Sequence, residues 1–389
     1  MSRVTLGEAF VLNPTVKLSK GTHAPFVDMA SLVPFTRDVS AAQEKPYGGG
    51  TKFCDGDVLM ARITPSLENG KTSVYRAAAN QRNAPAFGST EFIVIRGKEG
   101  ISSTSFAYYL FTSPEIRDYA IGSMNGSSGR QRVQLDSLAS FEIDLPELQE
   151  QRSIAATLGA LDDKIESNRR TISMIDELVR ARFEADFDLT QTDDGVSVSD
   201  LVLINRKQKL SRGTKATYVG MSSLPEFAPE IFDWEIREFG SGQKFVNGDV
   251  LMARITPCLE NGKTAIVDML EDGEVGWGST EYVVLSPKGS INTPWIYALA
   301  RNELVREWAI RRMAGTSGRQ RFQAEGFNDY RITDPDPKSL EEFNSFAEPL
   351  FDRMTQLRDE MKRLAALRDG LLPGLLTGRV RVPIEDVAT

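Results

Sequence analysis

Apolar residues in the middle of the chain recur at helical intervals: Leu161, Ile165, Asn168, Ile172, Ile175 and Val179 are spaced 4, 3, 4, 3, 4. That is a coiled-coil seam with one polar position. A second seam near the C-terminus, Leu350, Met354, Leu357, Met361 and Leu364, repeats the 4, 3, 4, 3 spacing. Pro146 stands at the head of the first stretch, where a helix's first turn tolerates proline, and no proline follows until Pro225. Elsewhere the pattern is different. Val58 to Ile63 and Phe92 to Ile95, with Val250 to Ile255 and Tyr282 to Leu285, are short β-branched and aromatic runs between Gly and Pro turns, which predicts buried strands. Phe106 to Phe111 with Ile116 to Ile121, and Trp295 to Leu299 with Leu304 to Ile310, follow Thr or Pro starts and predict short helices.

These elements come in two sets because the chain is a duplication. Gly56 to Thr72 recurs as Gly248 to Thr264, differing only at Ser66 against Cys258. The offset of 192 carries back without a gap to Asn13 against Asn205. Gly88-Ser89-Thr90-Glu91 returns as Gly278-Ser279-Thr280-Glu281, and Gly126 to Arg132 returns as Gly315 to Arg321 at an offset of 189. The same offset relates Leu161 to Leu350, so the two seams are in register. A period this long means two whole domains in tandem. The expected architecture is α+β: globular domains at 1–145 and 190–335, helical regions at 146–189 and 336–389, the latter with a C-terminal tail, and the two long helices packed antiparallel as a coiled coil in a pseudo-two-fold dumbbell. Leu161 to Arg182 spans 21 residue steps, about 32 Å at ~1.5 Å each. Equivalent groove faces of B-DNA recur every ~34–36 Å, so the helices would suit a ruler along DNA. On spacing alone, a dimerisation coil unrelated to DNA stays open.

Composition narrows the classes. The chain has 389 residues, 41% of them apolar, with no stretch near the roughly 18 residues needed to span a bilayer. The expectation is a cytoplasmic protein without membrane association. Two cysteines, Cys54 and Cys258, and one histidine, His23, disfavour a disulfide framework or a Cys/His zinc site. The net charge of −8 sits awkwardly with phosphate binding, but its location changes the picture. Residues 1–145 carry 15 basic and 14 acidic side chains and residues 190–333 carry 17 and 19, whereas 146–189 carry 6 and 10 and 334–389 carry 8 and 11. The excess acid belongs to the helices, and each globular half is near neutral.

The order domain, helix, domain, helix resembles the specificity subunit of Type I restriction-modification systems. So do Leu145-Pro146-Glu147-Leu148-Gln149-Glu150-Gln151-Arg152-Ser153-Ile154-Ala155, the heading Leu161-Asp162-Asp163-Lys164-Ile165-Glu166, and the run Leu367 to Gly378. The resemblance implies target recognition domains that each read one part of a bipartite, asymmetric double-stranded DNA site. It also implies helices that dock two methyltransferase subunits, joined by two ATP-driven restriction/translocase subunits. S-adenosylmethionine, ATP and Mg would then be used by those partners, with no cofactor on this chain. One departure is visible: Asp334 to Phe343, before the second helix, lacks the Glu-Gln-Arg of the first junction.

The sequence shows no dinucleotide fingerprint, phosphate-cradling loop, Asn-Pro-Pro-aromatic methyltransferase signature or paired-cysteine spacing, which points away from a catalytic chain. The duplicated polar loops carry the candidate chemistry. Ser127, Ser128, Arg130, Gln131 and Arg132, with Ser317, Arg319, Gln320 and Arg321, combine glycines with groups that pair with guanine, adenine or phosphate. Lys71 and Lys263 would reach phosphate from the turn that follows each strand, and Lys20, Lys209 and Arg212 would track a backbone edge. The competing readings are a cap tied by surface ion pairs, a solvated basic face, and Arg62 and Arg254 neutralising Glu68 and Glu260. Tyr47, Phe227 and Trp234 lie where the copies diverge, either reading half-sites or filling the core. A different class, a structural adaptor whose domains bind protein or carbohydrate, remains open, and a stand-alone nuclease or methyltransferase lacks its motifs.

Overall fold

The computed structural model describes residues 2–127, 129–316 and 318–382. Its contacts divide the chain into two compact units, one made of the chain up to Ile165 with the segment from Arg363 onward, the other Glu166–Lys362.

In the first unit, strand Val58–Ala61 is buried at every position, as a strand is when both sheet faces are covered. Its side chains alternate with the period of two that a strand imposes. Leu59 packs with Val27, Phe53, Tyr75, Phe92 and Val94, while Val58 and Met60 join Ile93, Ile95, Phe106, Phe111 and Leu158. The strands Phe10–Leu12, Phe92–Gly97, Val58–Ala61, Thr72–Tyr75 and Asp38–Val39 form a five-stranded sheet in that order. A four-stranded sheet, Gln43–Pro46, His23–Val27, Ala86–Gly88 and Thr51–Phe53, supplies the first cluster. Helices Thr104–Thr112 and Pro114–Gly122 and the start of the long helix Leu148–Asp186 supply the second. Val27 and Gly88 pair in parallel so closely that a Cβ at Gly88 would lie 2.2 Å from the Val27 carbonyl, and one at Gly278 would lie 2.4 Å from that of Val219. The shared Gly of both Gly-Ser-Thr-Glu motifs is thus a backbone requirement.

The second unit repeats this order: Leu203–Ile204, Tyr282–Ser286, Val250–Ala253 and Thr264–Ile266 in one sheet, and Glu235–Glu238, Lys215–Val219, Gly276–Gly278 and Gln243–Phe245 in the other. The fifth strand is reduced to a single parallel bridge, Glu230 to Ile266. Helices Thr293–Arg301 and Glu303–Arg311 follow, so the predicted strands and short helices are present in both copies. The strands stop short of the expected ends at Ile63 and Ile255, because Arg62 and Arg254 turn their carbonyls to Val133 and Phe322 instead.

The two long helices, Leu148–Asp186 and Pro337–Leu376, run 39 and 40 residues. Within the second unit they meet antiparallel: Asn168 donates to Glu360 at 2.8 Å, and Phe183 lies 5.7 Å from Phe343, centroid to centroid. The seam residues Ile165, Ile172, Ile175, Val179, Met354, Leu357 and Met361 are buried. Its one polar position, Asn168, is buried as well and finds the Glu360 carboxylate. The apolar spacing gave no sign of the buried charges Asp162, Asp176 and Arg358. Asp162 accepts from Tyr109 at 2.7 Å and from Arg368 at 2.6 Å. Asp176 accepts from Tyr297 at 2.8 Å and Arg180 at 3.0 Å.

Pro146 precedes the first long helix rather than opening it, and its carbonyl accepts from the fully buried Gln151 at 2.8 Å. Gln151 also accepts from the Ser103 amide at 2.9 Å and donates to the Ile101 carbonyl at 3.0 Å. It thereby serves a helix start that Ser103 leaves uncapped. In the second copy Leu340 stands at this position, and Asn292 caps its own helix by accepting from Trp295 at 3.1 Å. This accounts for the altered second junction. Gln151→Leu is expected to lower unfolding stability by about 3 kcal/mol, since three backbone groups lose their partner at roughly 1–3 kcal/mol each. Adding Ser103→Asn should recover about 1 kcal/mol, both read by urea unfolding.

Candidate nucleic-acid interface

The loop from Gly126 to Arg132 closes on itself. Asn125 and Arg132 exchange backbone hydrogen bonds at 3.1 and 2.9 Å, the Arg130 amide donates to Ser127, and Thr64 donates to the Gln131 carbonyl at 3.1 Å. The second loop repeats each bond, with Ala314 and Arg321, Arg319 and Thr316, and Thr256 and Gln320. Gly126 and Gly129 have φ of 137° and 78°, and Gly315 and Gly318 have 131° and 77°, values that favour glycine.

The two arginines of each loop divide in role. Arg132 grips Glu91 through Nε at 2.9 Å and Nη2 at 2.7 Å, and Arg321 meets Glu281 at 2.8 Å. Both carboxylates are presented by a Ser-capped turn, with the Glu91 amide on Ser89 and the Glu281 amide on Ser279, each at 3.1 Å. The duplicated Gly-Ser-Thr-Glu and Gly-Arg-Gln-Arg motifs therefore lock each other. The Arg132 guanidinium holds the Glu91 carboxyl below the usual value of 4.5. Arg130 and Arg319 are exposed and form no ion pair among the described residues. Ser127 is exposed, Gln131 and Gln320 are half-buried, and Ser128 and Ser317 lie outside the described residues.

Lys71 and Lys263 stand on the adjoining turns, and their ammonium groups donate to the carbonyls of Met29 at 2.9 Å and Met221 at 3.1 Å. In this arrangement they brace a neighbouring segment. Lys20, Lys209 and Arg212 are exposed. Lys20 and Arg212 occupy matching turns, Thr22 donating to Ser19 and Thr214 to Ser211. Strand His23–Val27 starts beyond Lys20 and ends where Ser89 donates to Val27. The basic turn is thus separated from the Arg132 loop by a strand of about 13 Å at ~3.3 Å per residue. Arg62 donates to the Val133 carbonyl at 3.4 Å and Arg254 pairs with Glu281 at 3.3 Å, not with Glu68 and Glu260 as the competing reading had it, because the strands end beside the Ser-capped turns. Tyr47 packs edge-on against Phe87 at 5.2 Å, and Trp234 lies under Lys362, whose ammonium is 3.3 Å from the ring centroid.

Phe227 does not lie where the copies diverge, as expected above, but belongs to a duplicated feature. Phe35 and Phe227 are 59% and 51% exposed, adopt φ of 56° and 53°, and donate their amides to Gly70 and Gly262. Arg117 lies 5.5 Å from the first ring and Arg306 5.2 Å from the second. Left-handed non-glycine residues are uncommon, and both copies keep one here. Met29, Ser31, Leu32 and Phe35 recur as Met221, Ser223, Leu224 and Phe227, the signal that would have found them.

Among the described residues, no group of three or more His, Cys, Asp or Glu is placed to hold a metal ion, and no helix is long and apolar enough to cross a membrane.

Residues 45–177 match the family model for the Type I restriction modification DNA specificity domain. The chain is 29% identical over 158 residues to the Type I restriction enzyme EcoEI specificity subunit of Escherichia coli, a match covering 39% of this chain and 26% of that protein. The chain therefore spans about a quarter of that relative's length. It is 23% identical over 317 residues to the MjaIX specificity subunit of Methanocaldococcus jannaschii, covering 73% of this chain and 71% of that one. Its fold is similar to that of a Type I restriction-modification S subunit from M. genitalium, with a TM-score of 0.53 at 14% identity over 96% and 95% of the two chains. The resemblance drawn from the sequence holds over residues 45–177, which match the Type I DNA specificity domain, and the fold is the mixed helix-and-sheet arrangement of tandem domains with long helices.

Glu91 has its carboxyl pKa lowered in the folded state, so its contribution to stability is complete above the unfolded value near 4.5 and is lost as pH falls through the folded one. The difference in unfolding stability between the native chain and Glu91→Gln should be flat from pH 8 to 6 and shrink below about pH 4.5.

Proposed function

We propose that this chain is the DNA-specificity subunit of a Type I restriction-modification complex, without catalytic groups of its own. Each unit reads one part of a bipartite, asymmetric site. The helical region at 146–189 and that at 336–389, which includes a C-terminal tail, dock two methyltransferase subunits, and two restriction/translocase subunits join them. The partners supply S-adenosylmethionine, ATP and Mg chemistry. The observation that carries this reading is the pair of matching loops in which one arginine is locked to a framework glutamate while its neighbour, Arg130 or Arg319, is left exposed. A rigid loop that offers one guanidinium is suited to pair with a guanine edge or a phosphate.

Within this reading Arg130, Arg319, Ser127, Gln131 and Gln320 contact DNA, together with Ser128 and Ser317. Arg132 and Arg321 hold the loops, and Lys71 and Lys263 hold the segments beside them. Lys20, Lys209 and Arg212 form separate backbone contacts. The segments that differ between copies distinguish the half-sites, since Gly56 to Thr72 and Gly248 to Thr264 are nearly identical.

Arg130→Glu with Arg319→Glu is expected to weaken DNA binding by the complex at least tenfold and to lower the slope of log affinity against log salt by about 1 per lost phosphate contact. Fluorescence anisotropy across 50–200 mM salt measures both. An adaptor that binds protein or carbohydrate would keep its partners and show no change on DNA. Exchange of residues 20–50 for those of another specificity subunit should change one half of the methylated motif and leave the other intact, read by methylation sequencing.

A further inference from the structure

The repeat places a complete guanidinium site in the first unit opposite an incomplete one in the second. In the first unit Arg37 pairs with Asp38 at 2.6 Å and Asp163 at 2.5 Å, and donates to the Gly159 carbonyl at 3.1 Å. Arg76 adds a second pairing to Asp38 at 2.7 Å. The offsets of 192 and 189 put Pro229 opposite Arg37, Glu230 opposite Asp38, Asp268 opposite Arg76, Glu348 opposite Gly159 and Asp352 opposite Asp163. The backbone frame is the same in both: Val74 donates to the Arg37 carbonyl, and Ile266 donates to that of Pro229. The carboxylates are retained and the guanidinium is not.

A cavity of about 690 Å3 occupies this place in the second unit, lined by Pro229, Glu230, Asp268, Glu348 and Asp352 among others. Asp268 is met by Arg358 and, at 2.7 Å, by Thr355, and Glu348 accepts from Asn292 at 2.9 Å. Glu230 is only 6% exposed, and its Oε1 is buried without a hydrogen-bond partner. A carboxylate so placed carries a desolvation cost that a cation would offset. Burial pushes the Glu230 carboxyl up to about 7, with Asp176 and Asp268 acting in the same direction and Arg358 against it.

We propose that this cavity binds a guanidinium or ammonium cation, which takes the place that Arg37 fills in the first unit. The cation comes either from a free amine or from an arginine or lysine side chain of another chain. Calorimetric titration of the intact chain at fixed ionic strength in phosphate buffer tests this with two probes, agmatine and N-acetylarginine methylamide. At pH 8 at least one should bind one to one with a dissociation constant below about 1 mM (~4 kcal/mol), and about tenfold more weakly at pH 6, where Glu230 is protonated. Glu230→Gln should abolish binding. Pro229→Arg, which returns the first unit's own arginine, should block it without loss of fold by circular dichroism. Tighter binding of agmatine assigns the site to a free amine, and tighter binding of the blocked arginine assigns it to a side chain from a partner. No binding by either probe, or binding unchanged in both variants, overturns the proposal.

Discussion

Both units depend on a carboxylate of the first long helix that is buried under a globular fold and must be met there. Asp162 and Asp176 are each about 5% exposed, and a charge so desolvated persists only with good partners. Tyr109 and Arg368 reach Asp162 from other elements, and Tyr297 reaches Asp176 from another, while Arg180 meets Asp176 from one turn along the same helix. In each case a tyrosine from the first short helix sets that helix on the long one. Apolar seams alone would permit sliding by a turn, whereas these polar contacts admit one register. Trp295, Phe183, Phe343 and Phe187 then pack around the same junction in the second unit.

The same logic separates frame from contact in the loops. Arg132 and Glu91 lie 41 residues apart, as do their equivalents in the second copy at a separation of 40, and each pair joins two motifs that look independent along the chain. Once those pairs are made, Arg130 and Arg319 remain exposed beside them. On the proposed function, a duplicated frame with different surroundings would let two units share a way of holding DNA and differ in what they read. The Arg37 and Glu230 regions show the same divergence inside the core, one completed by its own arginine and the other leaving a buried carboxylate without one.

Much of the fold was legible because periodicity is local. The 4, 3 spacing located both long helices, and the short β-branched runs located the central strands. What periodicity does not carry is the identity of polar partners far apart in sequence. Gln151 looked like a junction signature and is a buried cap for Ser103. Nor does periodicity show that Lys71, a candidate phosphate ligand, donates to the Met29 carbonyl. Arg254 found Glu281 rather than Glu260 because the chain leaves the strand two residues early. The match of Phe227 to Phe35 was hidden by a short recurrence among unlike neighbours, although their shared φ and exposure are plain in three dimensions.

Whether one chain carries two separate readers of DNA, as proposed, is decided by nuclease footprinting of the complex assembled with methyltransferase subunits on DNA holding one modified site. Two protected stretches with an accessible spacer between them are expected, each lost separately when the exposed arginine of one loop is reversed. A single continuous protected patch, lost as a whole by either change, would contradict the proposal.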